Sequence, residues 1–249
     1  NIKVFSGDIQ IDKDVIIIQE AKILPGTSFY LDKGASIVFK NKVTAKGTTS
    51  KPIIFNKIDK KQKPWGTIAI HGKKAAGSIF ENVIIEGGSG DIIDNIYYIS
   101  MLSLHDTQEI KLQSLKLKNN DLFDDMLHIV YSNDIKINDL LLESSKHDAI
   151  DIDISTNVNI SNSKIYNSGN DGIDIMETQL NVYNTLIHNS KDKGISTGES
   201  SKLKVYDSII ENNNVGIASK DGSIATITNS NLNFNNLQLS AYKKNWRYG

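Results

Sequence analysis

Asp-Ala-Ile-Asp-Ile-Asp at 148–153 returns as Asp-Gly-Ile-Asp-Ile-Met at 171–176, as Lys-Gly-Ile-Ser-Thr-Gly at 193–198 and as Val-Gly-Ile-Ala-Ser-Lys at 215–220. The spacing is 22 or 23 residues, and it holds from Asp125 to Lys243. A period of this size built from short alternating segments signals a solenoid whose repeats stack on one another. Stacking turns the sequence repeat into columns, in which equivalent residues of successive coils lie about 4.8 Å apart.

Working outward from this stretch, alternation assigns the faces. Ile68/Ile70, Leu102/Leu104, Leu127/Ile129, Ile150/Ile152, Ile173/Ile175, Ile195/Thr197, Ile217/Ser219 and Leu239/Ala241 supply one inward pair per coil. A second pair follows at Ile135/Ile137, Val158/Ile160, Leu180/Val182, Leu203/Val205 and Ala225/Ile227, and a third apolar position at Leu142, Ile165, Ile187, Ile210 and Leu232. Three short parallel strands per turn describe an all-β chain, a parallel β-helix. The right-handed form follows from the hand of parallel crossovers. Asp139, Asn162, Asn184, Asp207 and Asn229 recur just after the second strand and predict a buried, purely structural polar ladder.

Residues 1–60 alternate in the same way, with turns at Leu24-Pro25-Gly26-Thr27 and Lys33-Gly34, and read as a cap and first coils. Lys57, Lys60, Lys61 and Lys63 before Pro64 read as a solvated insertion loop. No linker or composition break divides the chain, so residues 1–249 read as one domain with regular coils over 65–243. It opens at Asn1-Ile2-Lys3, as a processed or excised piece would.

Basic residues number 28 against 29 acidic ones, which gives no global field for nucleic acid or an anionic membrane. Arg247 is the only arginine, so bidentate guanidinium clamps are nearly unavailable. Cysteine is absent, which excludes disulfides and thiolate metal sites. No apolar run is long enough for a membrane span.

With Ile150 and Ile152 inward, Asp151 and Asp153 point out. One outward column reads His128, Asp151, Asp174, Ser196, Ala218, Ser240; the next reads Val130, Asp153, Met176, Gly198, Lys220, Tyr242. Asp125, Asp148, Asp171 and Lys193 flank them at the bend before the strand, and Glu177, Glu199, Asp221 and Lys243 beyond it. Like charges at one strand spacing repel, so such a face needs a compensating reason. Asp148, Asp151, Asp153, Asp171, Asp174, Lys193, Glu199 and Lys220 are therefore the candidate catalytic groups. His128, Asp125, Asp221, Tyr242 and Lys243 are the candidate substrate contacts. His71, His105, His147 and His188 read as ordinary surface histidines. Three chemistries fit: glycoside hydrolysis by unlike carboxyls, C5 proton abstraction from a uronate, or Ca²⁺ binding, structural or catalytic.

Asn170-Asp171-Gly172-Ile173-Asp174, the run Asp192 to Ser201, Ala218-Ser219-Lys220-Asp221-Gly222-Ser223 and Ala241-Tyr242-Lys243-Lys244 resemble β-helix regions of bacterial proteins associated with spore-coat-kinase-like (CotH-type) domains. Leu24-Pro25-Gly26-Thr27, Trp65-Gly66 and Tyr248-Gly249 extend the resemblance over most of the chain. It implies a kinase-like neighbouring domain or protein and fixes no reaction. The fold is also similar to that of pectate lyases, polygalacturonases, alginate lyases and uronan epimerases. Asp171 and Asp174 resemble the polygalacturonase Asn-Thr-Asp-Gly-x-Asp run, but no Gly-His-Gly or Arg-x-Lys follows, and Lys193 and Lys220 occupy those coils.

The expectation is a carbohydrate-active β-helix protein of the cell envelope or exterior. It would act on an acidic polysaccharide as lyase, hydrolase or epimerase, with the lysines neutralising uronate groups. Ca²⁺ is the one cofactor the pattern admits. A non-catalytic carbohydrate-binding or surface module and a phage or envelope structural solenoid remain open beside it.

Overall fold

The computed structural model describes residues 2–120 and 122–248. Val15–Ile17, Ile37–Phe39, Ile68–His71, Ser100–His105, Asp125–Val130, Ile150–Asp153, Ile173–Met176, Lys193–Gly198, Val215–Lys220 and Leu237–Tyr242 form one ten-stranded sheet, each strand hydrogen-bonded to its equivalents in the coils on either side. All of these pairings are parallel, and this is the site sheet. A sixteen-stranded sheet forms the remaining walls, running from Lys3–Phe5 through Ile79–Glu86 and Asn133–Ser145 to Ile224–Thr228. The chain is a right-handed parallel β-helix.

Ile150 pairs with Ile173, Ile173 with Ile195 and Ile195 with Ile217, and all four are buried. Each withdraws an aliphatic side chain from water, worth about 1.5–3 kcal/mol. The N-terminal coils fill the same space with rings: Phe29 and Phe55 stack at 4.7 Å and Phe55 and Phe80 at 6.3 Å. Residues 3–57 already pair within the two sheets, so this part is built of coils from its first strand onward.

The glycine of the repeated motif has a packing cause. A Cβ on Gly194 would lie 2.4 Å from Ile210 Cγ2 and 2.6 Å from the Gly216 carbonyl oxygen, and one on Gly172 would lie 2.6 Å from that of Gly194. Successive bends leave no room for a side chain there. Gly194→Val is expected to destabilise by about 1–3 kcal/mol or more, read by urea unfolding; an unchanged midpoint would show that the bend can move apart.

Two expectations are corrected. Asp139, Asn162, Asn184, Asp207 and Asn229 do stack, and Asn184 Nδ2 donates to Asn162 Oδ1 at 2.7 Å. All five, however, adopt the left-handed conformation (φ 56, 51, 43, 50 and 48), and this corner is at the surface. The buried ladder lies one residue on, where Leu140 N donates to Ser163 Oγ and Thr185 N to Ser208 Oγ, both at 3.1 Å. Asn213 and Asn235 form another buried step. Leu239, expected inward, is 56% exposed, because its strand has a neighbouring coil on one side only.

Ile37 pairs with Ile68, and Ile68 with Leu102, so these two coils are longer than the later ones. One carries the lysine loop near residue 60. The other carries an antiparallel hairpin, Asp91–Ile93 with Ile96–Tyr98. Asp94 and Asn95 at its tip have φ of 51 and 62, the geometry of a two-residue turn matched to strand twist. The hairpin folds onto the outside of the site sheet, where Ile93 and Tyr98 bury Val38 and Ala69. Among the described residues no helix is long and apolar enough to cross a membrane.

Candidate functional site

The pairing builds the two expected columns on the outer face of the site sheet. His128 pairs with Asp151, Asp151 with Asp174 and Asp174 with Ser196; Val130 pairs with Asp153, and Asp153 with Met176. His128 Nε2 lies 3.4 Å from Asp153 Oδ2 and 3.8 Å from Asp151 Oδ2. The histidine is buried, while the aspartates keep partial exposure. Asp174, on the next coil, faces Lys220 Nζ at 4.0 Å. Lys220 is itself buried, its Cε lying 3.1 Å from where a Cβ on Gly198 would be.

The bend carboxylates hold the coils together as well as charging the face. Asp148 Oδ1 accepts the Asp171 backbone N–H at 2.6 Å and the Asn170 amide at 2.8 Å. Asp171 Oδ1 accepts the Lys193 backbone N–H at 2.8 Å, and Lys193 Nζ sits 3.5 Å from the same oxygen while also pairing with Asp192. Asp125 is buried, with no hydrogen-bond partner for Oδ2. On the opposite rim Asp221 Oδ1 accepts the backbone N–H groups of Lys244 and Asn245 at 2.6 and 2.7 Å. Tyr242 and Lys243 are exposed beyond Lys220. Lys193 and Lys220, expected as cations open to a substrate, are thus engaged with Asp171, Asp192 and Asp174.

Burial of so many like charges sets the protonation. Burial, then the charges of Asp153, Asp174, Asp148 and Asp124, pushes the Asp151 carboxyl up to about 9. Burial raises Asp171 to about 7 against the opposing pull of Lys193, and raises Asp148 to about 6 against the hydrogen bonds it accepts. Asp125 moves up for the same first reason. Glu199 is raised by burial, in spite of Lys220. Burial lowers the Lys193 ammonium, but Asp192 and Asp171 outweigh it and leave it raised. Asp221 is lowered: burial raises it, and the two backbone N–H groups with Lys220 and Lys244 overcome that. Asp151 is therefore a neutral hydrogen-bond donor at neutral pH. Unlike carboxyls in one site are the usual basis for dividing acid from base.

Three further residues border this face. Tyr98, from the hairpin, lies 4.9 Å from the His105 ring and 5.8 Å from that of His71, and its hydroxyl meets His71 Nδ1 at 2.6 Å. His105 in turn lies 5.2 Å from His128, edge to face. His105 is buried rather than at the surface, and burial followed by the neighbouring histidines pushes its imidazole down to about 3, so it stays neutral. Burial raises the Tyr98 phenol to about 12. Two signals announce this cluster. Asp94-Asn95 between Ile93 and Ile96 has hairpin chemistry, and the register carries His71 to His105 and His105 to Val130, beside His128.

Among the described residues one combination suits a metal ion. His128, Asp151 and Asp153 each offer a ligand atom, and all lie within 4.8 Å of one another. An imidazole nitrogen with two carboxylates is a donor set for a divalent transition ion more than for Ca²⁺, which prefers oxygen throughout.

Residues 125–245 match the family model for the right handed beta helix region. No curated protein matches this chain by sequence. Among solved structures, a point variant of the periplasmic alginate epimerase AlgG is similar, with a TM-score of 0.58 and 10% identity over 98% of this chain and 75% of that one. The parent AlgG gives 0.52 and 11% over the same shares. An alginate lyase from Paenibacillus sp. str. FPU-7 gives 0.43 and 16%, covering 83% of this chain and 69% of its own. At these identities the likeness is one of fold. None of these matches brings a kinase-like neighbour.

Proposed function

We propose that this protein acts on an acidic polysaccharide by uronate C5 proton chemistry, as a lyase or an epimerase. The observation that carries this is Asp151, kept neutral beside His128 and Asp153 on the open part of the face. Abstracting a proton next to a carboxylate builds negative charge on that carboxylate, and a neutral carboxyl donor stabilises it without adding repulsion. Asp153, partly exposed and held by the His128 Nε2–H, is the base, with His128 as its positioning residue; Tyr98 is a poor base, with its phenol at about 12. In elimination the C5–H electron pair becomes the C4=C5 double bond as the C4–O bond breaks, and the leaving oxygen takes a proton from water. In epimerisation water returns a proton to C5 from the other side. Lys220, close to Asp174, adds positive charge at the edge.

Hydrolysis fits less well, since Asp151 and Asp153 project from one strand with oxygens within 4.8 Å, closer than the roughly 5 Å or more between paired glycosidase carboxyls. A divalent cation bound by His128, Asp151 and Asp153 would supply charge neutralisation in place of the Asp151 proton. AlgG, periplasmic by name, acts on alginate, a uronate polymer, which agrees with an extracellular or envelope setting here.

Incubation with polymannuronate, polyguluronate and polygalacturonate tests the proposal, reading absorbance of unsaturated uronates and uptake of solvent deuterium at C5. Turnover is expected to fall as pH rises through about 9, where Asp151 loses its proton. Asp153→Asn should lose turnover by about 10²-fold or more. Binding of these polymers without either signal would mark a carbohydrate-binding module instead.

A further inference from the structure

The outward column of the site sheet is open over only part of its length. Val38, Ala69 and Ser103 are fully covered, and His128 almost so. Asp151, Asp153 and Asp174 keep side-chain exposures of 19, 23 and 33%. Beyond them Ser196 and Ala218 are covered again. Hairpin 91–98 and the rings it packs against close the N-terminal side: Ile93 and Tyr98 cover Val38 and Ala69, Tyr98 lies against His71 and His105, and His105 abuts His128. The hairpin is pinned at its base, where Asp91 Oδ2 accepts the Ser36 hydroxyl at 2.6 Å, and a Cβ on Gly90 would lie 2.8 Å from Phe123. On the other side Lys220 lies over Gly198 and reaches Asp174.

From this closure we propose that the site takes the terminus of a uronate chain, with hairpin 91–98 as the wall against which the end sugar stops. This rests on the acidic-glycan reading above. The open stretch spans the coils of Asp151 and Asp174, about 10 Å at one strand spacing per coil, room for two or three sugars along the axis. A chain threading past Tyr98 and His105 would have to displace a buried ring. Tyr98 and His105 are specificity-determining residues here, and they leave the proton transfer to other groups.

The test is a length series of oligomannuronates and oligogalacturonates, from dimer to decamer, titrated calorimetrically into the intact protein. Affinity is expected to rise by about tenfold from dimer to trimer and then stay level within about twofold. Polymer should bind in proportion to its ends rather than its mass. A variant with residues 92–97 replaced by two glycines, checked for cooperative unfolding, should regain length dependence beyond the trimer. If the wild type gains affinity steadily up to the decamer, the terminus proposal is overturned while the acidic-glycan reading stands. Absence of binding by every oligouronate overturns both. The wild-type series decides the matter whether or not the shortened hairpin folds.

Discussion

Moving from pH 8 to pH 5 is expected to raise the unfolding temperature, opposite to the behaviour of a protein whose carboxylates are held by cations. Asp148, Asp171 and Asp151 have folded-state values of about 6, 7 and 9 against an ordinary 3.8. A carboxyl raised in the fold contributes stability that is fully present below its unfolded value and is lost as pH climbs through the folded one. The window therefore runs from about pH 4 to pH 9. Each such group costs about 1.4 kcal/mol per pH unit while the fold keeps its proton, so Asp151 alone accounts for about 4 kcal/mol between pH 5 and 8. His105, held at about 3 against an ordinary 6.5, works in the other direction below about pH 6.5, by about 2 kcal/mol at pH 5, which leaves the sign set by Asp151 and Asp171; Asp221, lowered in the fold, acts only below about pH 4.

Asp151→Asn should then stabilise the protein at pH 8, flatten the pH dependence and remove turnover. Thermal melts at four pH values, for wild type and variant, in chelator, are sufficient. A wild type that melts lower at pH 5, or a variant as pH-sensitive as the parent, would contradict this account. A divalent ion seated by His128, Asp151 and Asp153 should raise the melting temperature at pH 8 and leave that of the variant unmoved.

The second large effect lies in the core. Ile173 is buried between Ile150 and Ile195, so Ile173→Ala leaves a cavity in a continuous stack and should cost about 2–5 kcal/mol. Ile209→Ala, at a side chain 43% exposed, should stay within about 0.5 kcal/mol. Urea midpoints measured side by side give the comparison; equal shifts would mean that the stack is not the source of stability. Because coils contact only their neighbours, the loss at Ile173 should be felt most around Asp151 and Asp174.

The columns were legible because alternation and period together leave no freedom. Once Ile150 and Ile173 are stacked, Asp151 must meet Asp174 and His128 must meet Asp151. What escaped lies outside the period. Tyr98 belongs to a hairpin that interrupts one coil, so its position over Ala69 and His105 follows from folding back, which spacing does not encode. The corner asparagines were expected inside because their recurrence was visible, while their left-handed backbone, which turns the side chains outward, was not. Lys193 and Lys220 were expected as open cations; their pairing with Asp171 and Asp174 depends on side-chain reach, which a column assignment leaves undetermined.

The hairpin has a consequence for how such a protein diversifies. It enters at a corner between two coils, and the ladder beneath it, from Ile68 to Leu102, pairs in the same register as elsewhere. The hairpin can therefore be lengthened, shortened or removed without shifting the column of His128, Asp151 and Asp174. On the proposed acidic-glycan function, action at a chain end and action in mid-chain would be neighbouring states in sequence space, separated by one exchangeable insertion.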